Sequence, residues 1–409
     1  MITISAFKAL RPQPQLAKLI ASRPYDVLTS AEARQEVIGN PDSFLHITKS
    51  EVDLPETTDI HTDVVYQKAA ENLQAFIKKG VLFQEDKPCL YIYELTMNGR
   101  TQTGLVAGSS VNDYENNLIK KHEFTRPEKE QDRINHIATA RAQTGNVFLA
   151  YRNNAGVDAI IAQWKQTKSA VYKFTAEDGI VHAIWVINND DTIAAITQLF
   201  ATEVPCTYIA DGHHRAASAA KVRAALGTQA SEESNYFLTT LFPANELYIM
   251  DYNRVVKDLN GHTTKELLHA LAEKFTITPS GKQSVKPAQA HEIGLYVAGQ
   301  WYQLHAKENT FTTDAIGVLD VTILQNNIFT PLLNIVDQRT DKRVDFVGGI
   351  RGIGELEKRV DSGDMAAAFS LYPVSIEQLF TIADTGNVMP PKSTWFEPKL
   401  RDGLLTHLI

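Results

Sequence analysis

An α+β fold with mixed sheets is what this sequence predicts, and three observations carry that expectation. Runs rich in β-branched and aromatic residues come in pairs joined by tight-turn dipeptides, as in hairpins. Amphipathic helical stretches fall between these pairs, without the regular strand–helix–strand alternation of a doubly wound parallel sheet. With 44% hydrophobic and 22% charged residues over 409 positions, the composition is that of a globular chain long enough for two or three compact units.

In chain order, RPYDVLTSAEARQEVIG reads as a turn entering a helix, with Thr29 and Glu32 spaced as a capping box and Gly39 beyond the last helical position. DVVYQKAAENLQAFIKKG places Val65, Ala69, Leu73, Phe76 and Ile77 on one helical face and stops at Gly80. PCLYIYELTMNGRTQTGLVAG is a hairpin turning at Asn98-Gly99, and SAVYKFTAEDGIVHAIWVI is another turning at Asp178-Gly179. Asp190 to Ala201 is helical, and CTYIA is a short buried strand. TTKELLHALAEKF is an amphipathic helix, EIGLYVAGQWYQLHA a hairpin around Gly299, and AIGVLDVTILQNNIF an apolar segment whose type the pattern leaves open. VDFVGGIRGIGELEKRV suggests strand, glycine loop and helix; AAAFSLYPV is a buried strand, SIEQLFTIADTG a helix, and VMPPKSTWFEPKLRDG a proline-rich loop.

Charge and cysteine usage exclude several function classes. A net charge of −8 offers no global basic field for a nucleic-acid backbone, so a small-molecule phosphorylated substrate is the preferred partner and nucleic acid is disfavoured. No apolar run is long enough to span a bilayer, and MITISAFKALRPQPQ lacks an apolar stretch of signal-peptide length. Only Cys89 and Cys206 occur, so a reducing cytoplasm without a disulfide framework is expected. Oligomeric state is not legible.

The densest chemistry lies in YIADGHHRAASAA, positions 208 to 220. CTYIA ends at Ala210 and strong helix formers run from Ala216 to Gly227, which sets DGHHR at a strand-to-helix junction. Helix N-termini attract anions through free N–H groups, and Gly212 removes the side chain that would keep a phosphate from the backbone. His213, His214 and Arg215 add donors. Asp211 beside a phosphate turn is repulsive unless it takes a proton from a hydroxyl nucleophile or holds a metal. An aspartate N-cap followed by surface histidines is the bland alternative; for Asp211 alone it is preferred, but not for all five residues together. No HExxH or paired-cysteine spacing supports a resident metal.

DGHHR followed by an alanine-rich helix resembles the ParB/sulfiredoxin-like superfamily, most closely its free-serine kinase branch. That resemblance implies a ParB/sulfiredoxin-like core with family-specific additions, phosphate binding at Gly212 to Arg215, and an Asp211 that assists the serine hydroxyl. More widely, FKALRP, RPYDVL, FLHIT, KKHEFT, EKEQDR, ADGHHR and PPKSTWFEPKL appear in order, as in the bacterial family called domain of unknown function 1015. Members of that family are often encoded beside enzymes producing phosphoserine, which implies serine or phosphoserine as substrate.

IKKHEFTRPEKEQDR is a second cluster. From Pro127 onward, Glu128 with Asp132 and Lys129 with Arg133 recur at helical spacing, as on a solvated helix face. KKHEFT fits that reading less well: Lys121, His122, Glu123 and Arg126 could meet a polyanionic ligand. In the serine kinases an acidic residue upstream of DGHHR is catalytic, and the resemblance makes Glu123 the candidate. Glu123 is expected to approach Asp211 and raise the proton affinity of one carboxylate of the pair. In the tail, Lys392, Ser393 and Thr394 of PPKST suit a phosphate contact, with a packed terminal loop as the equal alternative. Arg23, Tyr25 and Asp26 rank behind turn roles, and GGIRGIG matches neither the Walker spacing nor GxGxxG.

The expected organisation is a catalytic region over 1–240 and a second α+β region over 241–409, with PPKST packing back on the core. The expected function is a cytoplasmic phosphotransferase or phosphohydrolase, kinase or phosphatase, of serine biosynthesis. Asp211, Glu123, His213 and His214 are its catalytic candidates, with magnesium and ADP, ATP or pyrophosphate as co-substrates. The rival is a nucleotide-responsive ParB-like regulator or DNA-binding module without turnover. Sulfiredoxin-type redox repair ranks lowest, since the pentapeptide holds no cysteine.

Overall fold

Asn98 and Gly99 both take positive φ, 52° and 78°, the backbone of a tight hairpin turn, and Met97 therefore pairs with Arg100. In the computed structural model, which describes residues 1–409, this hairpin of Leu90–Met97 and Arg100–Ser110 lies within a nine-stranded mixed sheet. The strand order runs Ile119–Lys120, Thr207–Asp211, Val147–Tyr151, Tyr236–Pro243, Arg100–Ser110, Leu90–Met97, Val181–Ile187, Tyr172–Thr175, with Ile4–Ser5 added beside Arg100–Ser110. Two of its pairings are parallel: Thr207–Asp211 with Ile119–Lys120, and Tyr236–Pro243 with Val147–Tyr151. The first pairs Tyr208 with Lys120, so the residues after both strands emerge at the same end of the sheet. That register sets KKHEFT beside DGHHR.

The sheet's core gathers Ile92, Leu105, Leu149, Ile209 and Leu241. The helix His213–Leu226 buries Ala216, Ala217, Ala219 and Ala220, small side chains that let it lie close to its neighbours. The helix Pro127–Ala140 packs on it: Ser218 Oγ donates to the Glu130 carbonyl at 3.1 Å, and Lys221 pairs with the Glu130 carboxylate. Glu130, Arg133 and His136 are buried there. The solvated face expected from the charge spacing is thus partly an interior one, because charge periodicity does not reveal which face a neighbouring helix covers. Both anticipated capping elements form: Thr29 and Glu32 make a complete capping box, and Gly80 takes φ 70° beyond the helix Asp63–Lys78.

Two compact units result, Met1–Leu247 with Pro398–Ile409, and Tyr248–Glu397. The last residues, assigned from sequence to the second region, therefore belong to the first: Asp402 bridges Ser22 and Thr406 bridges Leu10 through backbone pairing. The second unit holds a six-stranded antiparallel sheet in the order Phe275–Gly281, Gln300–Ala306, Glu292–Val297, Ala367–Leu371, Tyr252–Val256, Val344–Gly348. The segment left untyped is helical, Asp320–Leu324 running into a wider turn at Gln325–Phe329. No helix is long and apolar enough to cross a membrane.

Candidate functional site

Asp211 ends its strand after a register shift opposite Val147–Tyr151, and Gly212 begins the next helix at φ 96°. Left-handed backbone is open to glycine, and a Cβ there would also stand 3.1 Å from Arg215 Cζ. The glycine thus does two things: it turns the chain and lets the Arg215 guanidinium fold over the turn. No side chain caps the helix's first turn.

Arg215 is buried, donates to the Asn146 carbonyl and, at 3.3 Å, to Asp211 Oδ2, and lies 3.7 Å from Asp26 Oδ2. Burial opposes its charge, but Asp26 and Asp211 more than offset this and hold it protonated. Lys399 Nζ donates to Asp211 Oδ2 at 3.3 Å. Burial would raise the Asp211 carboxyl, yet Lys399 and Arg215 drive it well below the usual carboxylate range. Asp211 is thus a carboxylate between two cations, and it is not the member of the expected pair whose proton affinity is raised.

His122 and His213 meet ring edge to ring face, centroids 4.6 Å apart, and both are buried. Burial pushes His122 down to about 4, with Asp211 opposing; burial and then His122 push His213 well down too. Both shifts favour the neutral imidazole over the charged one at physiological pH. His122 Nδ1 and His213 Nε2 are buried without a partner. Glu123 is exposed, its Oε2 4.0 Å from His213 Nδ1, so it reaches the motif through that histidine. His214 is half-buried and lowered by burial first and then by Arg126, which places Arg126 within electrostatic reach of the turn.

The remaining candidates have other contacts. Lys121 Nζ sits over the Tyr114 ring at 3.9 Å, a cation–π contact that occupies it. Lys392, Ser393 and Thr394 belong to the second unit. There Ser393 Oγ donates to the Pro390 carbonyl at 2.6 Å, Lys392 lies 5.8 Å from the Tyr252 ring centre, and the buried Arg254 holds the Pro391 carbonyl at 3.1 Å.

Sequence reading gave no site role to Lys399, Asp402 or Arg133 and ranked Asp26 behind turn roles. Lys399 lies in the same PPKSTWFEPKL stretch as Lys392, Ser393 and Thr394, the residues the sequence reading singled out there. Asp402 is buried, accepts the Tyr25 amide, and leaves Oδ2 without a partner. Burial, opposed by Arg215 and assisted by Asp26, pushes its carboxyl up to about 7. Since unfolded aspartate titrates near ~3.9, protonated Asp402 favours the fold below that pH, and this contribution is lost as pH rises through about 7. Asp402→Asn is expected to flatten the fall of Tm between about pH 4 and 7, relative to a wild type in which Asp320, also raised to about 7, keeps its own slope. An unchanged slope would assign the titration elsewhere.

No group of three or more His, Cys, Asp and Glu side chains is arranged to hold a metal ion. No curated protein matches the sequence. Among solved structures, a conserved hypothetical protein from Pyrococcus furiosus is 12% identical, covering 74% of this chain and 94% of its own, with a TM-score of 0.37. A free serine kinase in complex with AMP is 11% identical (72% and 86% covered, TM-score 0.35). SbnI with a C-terminal truncation, from Staphylococcus aureus, is 10% identical (74% and 87% covered, TM-score 0.38). The sequence profile of the family described as "Protein of unknown function (DUF1015)" matches residues 4–322, and the chain belongs to that family.

Proposed function

We propose that this protein transfers or hydrolyses a phosphoryl group on serine or phosphoserine, with the phosphate held at Gly212 to Arg215. One observation carries the reading: a left-handed glycine opens a helix whose first turn no side chain caps, between a buried arginine and an ionised aspartate. The phosphate's charge meets Arg215, Lys399 and the helix N-terminus, since His122 and His213 are neutral.

In the synthetic direction the serine Oγ forms a bond to phosphorus as the donor's bridging P–O bond breaks, and the hydroxyl proton passes to Asp211 or Glu123. The reverse path returns it. Asp211, held so far below the ordinary range, is a weak base; its stronger contribution is to orient the hydroxyl as an acceptor. His213, close to Glu123, is the neutral relay between them. Asp211, already between Lys399 and Arg215, is not disposed to bind a further cation; magnesium would enter with the phosphate oxygens of a nucleotide or pyrophosphate, where it would supply charge neutralisation.

The direct test incubates the full chain with phosphoserine and magnesium, with and without ADP or orthophosphate, and follows serine, ATP and pyrophosphate. Serine release is the expected result. If none appears, and serine with ATP, ADP or pyrophosphate yields no phosphoserine, the reading fails. Salt-sensitive DNA binding in a gel shift without turnover would favour a regulator instead.

A further inference from the structure

In the second unit, Arg254 is fully buried on the strand Tyr252–Val256. No carboxylate answers its charge. Its Nε donates to Gln338 Oε1 at 3.1 Å, its Nη1 to the Tyr252 carbonyl and its Nη2 to the Pro391 carbonyl at 3.1 Å. Gln338 is held in that orientation by donating its own amide to Gln325 Oε1 at 2.7 Å. The acids on the same stretches of chain are engaged otherwise: Asp251 accepts from Asn253 Nδ2 at 2.5 Å, and Glu397 from Trp395 Nε1 at 2.8 Å. The Phe346 and Tyr252 rings lie 5.2 and 5.7 Å from Arg254 Cζ and give some cation–π relief. Burial still pushes the guanidinium down to about 10, with Tyr252 opposing. Buried charges are ordinarily paired, because desolvation is costly and neutral acceptors repay it only in part.

The Pro391 carbonyl that Arg254 holds belongs to the peptide bond whose N–H is that of Lys392. Carbonyl and N–H of a trans peptide point in opposite directions, so the guanidinium turns this N–H away from itself. Pro390 and Pro391 supply no donors of their own. Lys392 then takes φ 57°, uncommon for a residue with a side chain, and Ser393 Oγ closes the loop on the Pro390 carbonyl at 2.6 Å. The amides of Lys392, Ser393 and Thr394 meet no acceptor within the protein. Lys392 is half-buried, 5.8 Å from the Tyr252 ring centre, and has no ion pair. Successive free amides around a left-handed residue form a concave nest for an anion, to which a lysine adds a point charge.

We propose that the loop 390–394 binds a phosphate group, free or as a monoester, on the amides of Lys392, Ser393 and Thr394 and the Lys392 ammonium, with Arg254 as the buried counter-charge that also fixes the loop. Three amides and an ammonium offer more donors than the two oxygens of a carboxylate can take, which favours the additional oxygens of phosphate. All of these groups lie in Tyr248–Glu397, so the proposal stands or falls independently of the reading of Gly212 to Arg215.

Two measurements on the full chain test it. Crystals soaked in tungstate locate the anion by its anomalous scattering, expected within hydrogen-bond distance of the three amides. In solution, the amide resonances of Lys392, Ser393 and Thr394 report the affinity of this loop alone during titration with orthophosphate, methyl phosphate, acetate and chloride. Saturable shifts with a phosphate, and none with acetate or chloride at the same concentration, are expected. Methyl phosphate binding as tightly as orthophosphate assigns the loop to a monoester; orthophosphate binding alone assigns it to the free ion, and either result supports the site. Lys392→Met should weaken phosphate by about 10-fold and Arg254→Met by about 10- to 100-fold, the size of one charge-assisted contact. Arg254→Met also replaces a lone buried charge by an apolar side chain, so Tm without phosphate should hold or rise. Absent tungstate and unmoved amides overturn the proposal, as does chloride binding equal to phosphate. It is equally overturned if Lys392→Met binds like wild type while Arg254→Met only loses Tm, the result expected of an arginine that merely props the loop.

Discussion

Asp211→Asn is expected to keep phosphate and lose turnover, by about 10²-fold, the lower end of the contribution of a positioned acid/base group, because Asp211 is a weak base and asparagine retains one acceptor. Asparagine preserves the size and one carbonyl acceptor but carries no charge. In the wild type that charge neutralises Lys399 and Arg215 at 3.3 Å each, so its removal frees two cations for an anionic ligand. Phosphate should therefore bind as tightly as before or more so, while kcat falls. Michaelis constant and turnover with phosphoserine, together with orthophosphate affinity, separate the effects. Wild-type turnover in the variant would reduce Asp211 to a structural partner of Arg215 and move the chemistry to Glu123 or the histidines.

Arg215→Ala is expected to cost both function and fold. The guanidinium is buried among Asp211, Asp26 and Asp402, and removing it leaves those carboxylates without their shared counter-charge. Breaking a buried ion pair from one side costs roughly 3–5 kcal/mol, which for a unit of this size lowers Tm by about 10 °C. Phosphate affinity and kcat/KM should fall together, because Arg215 would hold the phosphate in ground and transition states alike. Arg215→Lys keeps the charge without the fork that spans Asn146 and Asp211, so it should recover part of the stability and little of the affinity. A variant with wild-type Tm and wild-type phosphate affinity would remove Arg215 from the site.

The features legible in the sequence were those that a few consecutive residues decide. Asn98-Gly99 permits the positive φ values that a tight hairpin needs, and Thr29 with Glu32 closes a capping box across one helical turn. DGHHR could be placed at a strand-to-helix junction for the same reason: a short β-rich run, a glycine and an alanine-rich run each restrict their own backbone. On the helix Pro127–Ala140, Glu128 and Lys129 are exposed as the charge spacing suggested, but Glu130 and Arg133 are buried, because spacing reports a helical face, not what covers it.

What only the tertiary structure decided is the company that the motif keeps. Glu123 arrives there through one parallel pairing, Tyr208 with Lys120, and Asp402 through one backbone bridge to Ser22, contacts that no local periodicity announces. Lys399 and Arg215 then set the ionisation of Asp211 against the burial that would raise it. A residue's sequence specifies its charge and its backbone freedom; the neighbours that shift a proton affinity are brought close by strand pairing across hundreds of residues, and electrostatic energy depends on that distance and on the water excluded along the way.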